Sequence, residues 1–195
     1  MESTTLSQHS TSDIQRRTAR SLLWVGIVSI IMLFAGLTSG YIVRQAEGDW
    51  LVVSLPSAFW WSTLIIVLSS ATMWWGQHAI KKGNTKLLGI ALGITLSLGL
   101  LFMALQFLGW NQLVQNGIYM TGPQSNVAGS FLYVIPGLHL AHLIFGLFSL
   151  AYTRYKVSSG AYSAQQYSGV SLTATYWHFL DFLWVYLFFF LLYIR

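Results

Sequence analysis

Five stretches of this chain, at about 22–43, 57–79, 87–108, 130–153 and 174–194, are apolar over lengths near the ~20 residues that carry a helix across a bilayer. That recurrence constrains the fold more than any single motif. A backbone in hydrocarbon must satisfy its own hydrogen bonds, which leaves helices and closed barrels. The stretches are continuously apolar rather than alternating, so a barrel is excluded and helices follow. Charge content agrees, since only 8% of residues are charged where a soluble domain carries roughly 25%. The expected fold is therefore all-α, an integral membrane bundle of five transmembrane helices over 22–195. No stretch clearly repeats another.

Residues 1–21 are rich in Ser, Thr and Gln and end in Arg16, Arg17 and Arg20. They read as a polar, disordered cytoplasmic tail. The apolar stretch behind them is too long for a signal-peptide core and has no small-residue cleavage site, so no cleaved signal is expected. The same absence argues against reading Arg16-Arg17 as a twin-arginine export signal.

Orientation follows from the short loops. One side holds Arg16, Arg17, Arg20, Lys81, Lys82, Lys86, Arg154 and Lys156; the other holds Arg44 and Arg195, together with Glu47 and Asp49. The positive-inside rule puts the N-terminus in the cytoplasm and the C-terminus outside. The formal net charge of +5 thus reflects topology rather than a nucleic-acid partner. The chain has no cysteine, which removes disulfides, thiolate metal sites and cysteine nucleophiles from consideration.

Several features read as ordinary membrane-protein architecture. Trp50, Trp60, Trp61, Trp110 and Tyr119 fall near the expected outer interface, and Trp74 and Trp75 near the inner one, as aromatic belts do. Gly48 and Pro56 mark the first outer loop, and Gly117, Gly122 and Pro123 the second. Gly36-x-x-x-Gly40 and Gly89-x-x-x-Gly93 permit close helix approach. Pro136 removes a backbone donor from the fourth helix and is expected to bend it.

The stretch YWHFLDFLWVYLF, Tyr176 to Phe188, stands apart. It contains Asp181, the one acidic residue within an apolar segment, three residues after His178 and three before Trp184, with Trp177 beside His178. An ionisable group at that depth marks function or assembly. On the preceding helix His139 and His142 are also three apart, and bundles build metal and haem sites from facing helices. Depth argues against one four-ligand cluster. At ~1.5 Å per residue, His139, His142, Asp181 and His178 lie roughly 21, 16, 10 and 6 Å from the inner end, whereas ligands of one metal sit within about 2.0–2.3 Å of it. A His142–Asp181 pair stays open on this reading, and His178 reads as an inner-interface anchor. His78, beside Lys81 and Lys82, is interfacial. No Walker loop, dinucleotide fingerprint or catalytic triad is present. The first three helices offer only hydroxyls and Gln106. Residues and spacing alone lead to an accessory membrane subunit or a small transporter.

Tyr176-Trp177-His178-Phe179-x-Asp181-x-x-Trp184-x-x-Leu187-Phe188 resembles the C-terminal signature of subunit III of the haem–copper terminal oxidases. Gly137-Leu138-His139-Leu140-Ala141-His142 is similar to that family's His-x-x-His segment one helix earlier. Met32-x-x-Ala35-Gly36, Ser69-Ser70-x-Thr72, Ala79-x-x-x-Gly83-Asn84 and Leu105-Gln106 extend the resemblance over about 20–195, in the family's order and in its five-helix bacterial form. Two family glutamates fall here on Ile30 and Gly109, so their proton-supply role does not carry over.

The resemblance implies an accessory subunit III of a cytochrome c oxidase in a bacterial inner membrane, without catalytic residues, redox centre or metal of its own. Haem and copper would lie in partner subunits. Subunit I would be the principal partner, with subunit II, further small subunits or a respiratory supercomplex around it, and phospholipid bound in a cleft. The subunit would sustain oxygen reduction and proton pumping by packing and stabilisation. On this view His139, His142, Trp177, His178, Asp181 and Trp184 make interhelical, subunit or lipid contacts. Cytochrome c and quinol stay open as electron donors, as does an accessory role in a nitric oxide reductase. An independent transporter would need inverted repeats and broken helices, which the sequence lacks. A haem-carrying protein would show colour in the isolated chain.

Overall fold

The computed structural model describes residues 2–47, 50, 53–123, 125–160, 162 and 167–194, with the side chains of 2–13 and 16 outside the description. Gly48, Asp49, Arg195 and the Arg16 side chain, which entered the loop and charge reading, lie outside the described residues. Five helices follow one another: α1 Glu2–Gln45, α2 Ser57–Lys81, α3 Thr85–Gln115, α4 Val127–Ser158 and α5 Ser168–Tyr193. Each contains a segment long and apolar enough to cross a membrane, that of α1 being Arg17–Gln45.

The helices outrun the apolar stretches, each for a local reason. The backbone of α1 is helical from Glu2, through the segment expected to be disordered. Residues 2–20 hold neither Gly nor Pro, so a helix begun in the apolar part meets nothing that stops it. α5 begins at Ser168, six residues before the apolar edge at 174. In its second turn the Thr173 hydroxyl meets those of Ser149 and Thr153 of α4, each at 2.9 Å.

Two tight turns set the α2–α3 and α3–α4 ends. After α2, Gly83 takes φ +76° while its N–H donates to the Ile80 carbonyl at 2.9 Å and that of Asn84 to Ala79 at 2.9 Å. After α3, Gly117 takes the same φ and the N–H groups of Gly117 and Ile118 donate to Val114 and Leu113, both at 3.0 Å. This left-handed close of a helix favours glycine. Asn84 then caps α3 by accepting from Leu87 N–H, and Asn126 caps α4 by accepting from Ala128 N–H.

α2, α3, α4 and α5 pack in a closed ring, α2 against α3 and α5, and α4 against α3 and α5; α1 lies outside it, against α4 and α5. The ring's core holds Phe59, Ile66, Phe102, Leu143, Trp177 and Trp184. Glycine makes room for the large rings: a Cβ on Gly99 would come 2.7 Å from Trp177 and 2.8 Å from Leu147. α1 is held through Phe34 and Tyr41, the latter edge-on to Phe190, Phe131 and Trp50.

Gly89 and Gly93 meet Val157 and Arg154 of α4, whereas Gly36 and Gly40 have no atom within 4 Å of a Cβ built on them. Trp60, Trp61, Trp74 and Trp75 are exposed on the lateral surface. Trp50 and Trp110 are partly buried against the core instead. Pro136 is buried within α4, which continues through it.

Candidate functional site

α5 meets α2 in an antiparallel seam of hydrogen bonds. Trp177 Nε1 donates to Ser69 Oγ at 3.1 Å, and Trp184 Nε1 donates to Thr63 Oγ1 at 3.0 Å. Between them the Ser70 hydroxyl and His178 Nδ1 are 2.7 Å apart. Phe188 closes the outer end edge-on to Trp60, with ring centroids 4.8 Å apart. Two indoles seven residues apart thus meet two hydroxyls six apart, which fixes the register of the helices.

Asp181 sits on this seam between the two indoles and is 4% exposed. Ser70 lies beside its carboxyl, but the hydroxyl's hydrogen bond goes to His178, and neither Asp181 oxygen makes one of good geometry. A carboxyl so placed in a membrane bundle is costly to ionise and awaits a polar neighbour.

The two histidines of α4 go elsewhere. His139 is fully buried with both ring nitrogens unbonded, stacked at a tilt on Trp184 at 5.2 Å and edge-on to Phe102 at 6.0 Å. His142 turns towards α1, its ring 5.9 Å from Phe34, and its Nδ1 donates to the Leu138 carbonyl at 2.7 Å. The Tyr176 hydroxyl donates to the His142 carbonyl at 3.2 Å. His142 faces α1 while Asp181 faces α2, so that pair is not brought together. Among the described residues no three His, Asp or Glu side chains converge as a metal site.

His178 lies further along its helix than the apolar stretch alone suggested. α5 begins ten residues before it, which puts it about 15 Å from the helix start rather than about 6 Å. The cause is the hidden polarity of 168–173, whose hydroxyls shortened the apolar stretch seen in the sequence.

The partners on α2 were not singled out from the sequence. A signal was present: hydroxyls recur at Ser62-Thr63 and Ser69-Ser70, seven apart, as Trp177 and Trp184 are on α5. A second buried bond joins α2 and α3, where Gln106 Nε2 donates to Ser62 Oγ at 2.9 Å. Chemically, the site joins helices and presents an imidazole edge beside a carboxyl.

Known proteins resemble this chain over most of its length. The family description Cytochrome c oxidase subunit III matches residues 55–195. A Nocardia farcinica (strain IFM 10152) protein named Probable cytochrome c oxidase subunit 3 is 31% identical over 178 residues, covering 86% of this chain and 83% of its own. Cytochrome c oxidase subunit 3 of Corynebacterium diphtheriae (strain ATCC 700971 / NCTC 13129 / Biotype gravis) is 28% identical over 81% of this chain and 79% of its own. The protein of that name from Thermostichus vulcanus is 29% identical over 85% of this chain and 82% of its own.

Proposed function

We propose, since the chain belongs to the cytochrome c oxidase subunit III family, that it is the accessory subunit III of a bacterial respiratory oxidase that takes electrons from cytochrome c. The observation that carries this reading is how the polar groups of the family signature are used. Trp177, His178 and Trp184 each direct a ring nitrogen to an α2 hydroxyl, which makes the signature a packing device rather than a reaction centre. The names of the relatives favour cytochrome c over quinol as donor.

In this role the chain lies in the inner membrane with its N-terminus inside and its C-terminus outside. It packs beside subunit I, with subunit II in the same complex, and supports oxygen reduction and proton pumping carried out on their haem and copper. Phospholipid has a natural seat in the apolar groove of about 410 Å³ between α1 and α5, lined by Trp24, Ile27, Phe34, Phe179 and Phe182. His139, Trp177, Asp181 and Trp184 act in helix packing, while the partly exposed His142 and His178 lie where a subunit or lipid can reach their side of the bundle.

The test is a purification of the tagged protein in mild detergent with spectra taken before and after the subunits are separated. Haem and copper should co-purify with larger partners and leave when this chain is isolated. Colour in the isolated chain would overturn the reading. Oxygen consumption with reduced cytochrome c, set against quinol, then tests the donor.

A further inference from the structure

The outward surface of the bundle is not uniform. On α3 the lateral face carries Ile94, Leu100 and Leu101, and on α4 Phe145 and Phe148, all exposed hydrocarbon. Hydroxyls on such faces are closed off within their own helix, Ser97 donating to the Gly93 carbonyl and Ser29 to the Val25 carbonyl. Acyl chains cover surfaces of this kind without loss.

The α2–α5 face is different. Val67 is 51% exposed there, and behind it stand partly buried Ser70 and His178, with Asp181 beneath them. Nδ1 of His178 is engaged by Ser70, and its other nitrogen, Nε2, has no hydrogen bond among the described residues. By helix length His178 lies about 15 Å from one end of α5 and about 22 Å from the other. A hydrocarbon layer ~30 Å thick centred on this helix of 26 residues puts His178 about 10 Å inside it, below the headgroups, and acyl chains offer no donor or acceptor. Lipid therefore leaves the imidazole edge unsatisfied, a state membrane proteins avoid by pairing such groups across helices.

We propose that the α2–α5 face along Val67, Ser70, His178 and Val185 is the surface on which a transmembrane helix of the oxidase's haem-bearing subunit docks, a polar side chain of that helix meeting the free edge of the His178 imidazole. The partner's identity rests on the accessory-subunit reading; the location of the surface does not. His142, the other imidazole at mid-depth, lies in the crevice under Phe34 of α1, and that side provides the competing surface.

The experiment is photo-crosslinking in native membranes. A benzophenone side chain is placed at Val67 or Val185, and for comparison at Leu101 on α3, Phe145 on α4 or Leu33 on α1. Val67, Leu101, Phe145 and Leu33 are exposed and Val185 is half-buried, so Val67 is the primary position and Val185 is read only in a chain that still assembles. Val67 and Val185 should yield adducts with a transmembrane segment of the haem-bearing subunit, and the other positions adducts with lipid. In the same complex, His178→Leu should lower retention of that subunit on detergent dilution about ten-fold, the effect of about 1.4 kcal/mol of lost binding, and more than Ser70→Ala, which removes only the bond within the chain. Lipid adducts alone from Val67 and Val185, or protein adducts from Phe145 or Leu33 instead, overturn the surface while co-purified haem still upholds the accessory role. Adducts from Val67 and Val185 to a protein free of haem, with no haem co-purifying, overturn the accessory role and leave the surface standing.

Discussion

At the scale of single residues, the indole–hydroxyl bonds invite a quantitative test. Trp184 Nε1 reaches Thr63 Oγ1 at 3.0 Å in a region that water does not supply, and such bonds in membrane bundles contribute about 0.6 kcal/mol on average and up to ~1.7. A double-mutant cycle of Trp184→Phe and Thr63→Val, read by thermal unfolding in detergent, should return a coupling in that range; additive effects would show that the bond contributes nothing. Glycines divide as sharply. A Cβ on Gly109 would strike the Phe59 ring, which is itself locked edge-on to Trp184, so Gly109→Ala should destabilise by about 1–3 kcal/mol, the usual cost of overpacking. Gly36 has open space around it, so Gly36→Ala should not destabilise the separated chain and should add up to ~1 kcal/mol of helix propensity. Equal losses at both positions would contradict this packing. The same geometry explains why a side chain is missing at Gly109, where the family resemblance led to a glutamate: Phe59 fills that space. Sequence spacing put Asp181, His178 and the two indoles on one face correctly, because helical periodicity is local. It could not tell which helix meets that face, since pairing between helices is a property of the assembled bundle. The matching seven-residue spacing of Ser62-Thr63 and Ser69-Ser70 was legible, but hydroxyls are so common in membrane helices that spacing alone did not single it out.

Elements obey a different logic, in which ends matter more than middles. Hydropathy located all five helices and misplaced their limits, by six residues at the start of α5 and twenty at the start of α1, because polar turns that stay helical do not register as apolar. α5 shows it best: Ser149, Thr153 and Thr173 form a hydroxyl cluster joining α4 and α5, so the helix continues where the apolar run has ended. The α2–α3 hairpin, by contrast, was marked in the sequence by Gly83-Asn84. There Gly83 carries φ +76° and Asn84 accepts from Leu87 N–H at 3.0 Å. Asn84→Ala removes the cap and should lower stability by about 0.5–2 kcal/mol. Asn84→Ser, which keeps an acceptor at that position, should restore most of the loss. If serine fails to rescue, the side chain acts through something other than capping. Gly83→Ala should cost about 1 kcal/mol for holding a Cβ in the left-handed region. Both changes are read by the unfolding midpoint of the separated chain.

For the whole molecule, a closed ring of α2–α5 with α1 against its α4–α5 side gives a bundle with a definite polarity. Five crossings would put the two ends of the bundle on opposite sides of the membrane, in one of two orientations between which the flanking charge discriminates. Lys81, Lys82 and Lys86 flank the α2–α3 turn, Arg154 and Lys156 end α4, and Arg17 and Arg20 lie on α1 before its most apolar part. At the other end Arg44 is engaged by Glu47 at 2.5 Å, and the described α3–α4 connection carries no basic residue. Juxtamembrane Lys and Arg stay on the cytoplasmic side, so the α2–α3 and α4–α5 turns are expected inside and the α3–α4 turn outside. The absence of native cysteine makes this directly measurable. Thr121, exposed in the α3–α4 turn, is the probe for one side: Thr121→Cys should react with a membrane-impermeant maleimide in intact spheroplasts. Ser159→Cys, after α4, should react only once the membrane is permeabilised. The reverse pattern would mean that the bundle is inverted, and equal reactivity at both sites in intact cells would mean that α4 does not cross. The bias is shared between two turns: replacing Lys81, Lys82 and Lys86 with Gln weakens the retention signal of one of them. Ser159→Cys should nonetheless stay protected while Arg154 and Lys156 remain, because those two charges lie on the same side and α3, α4 and α5 are held to one another in the ring.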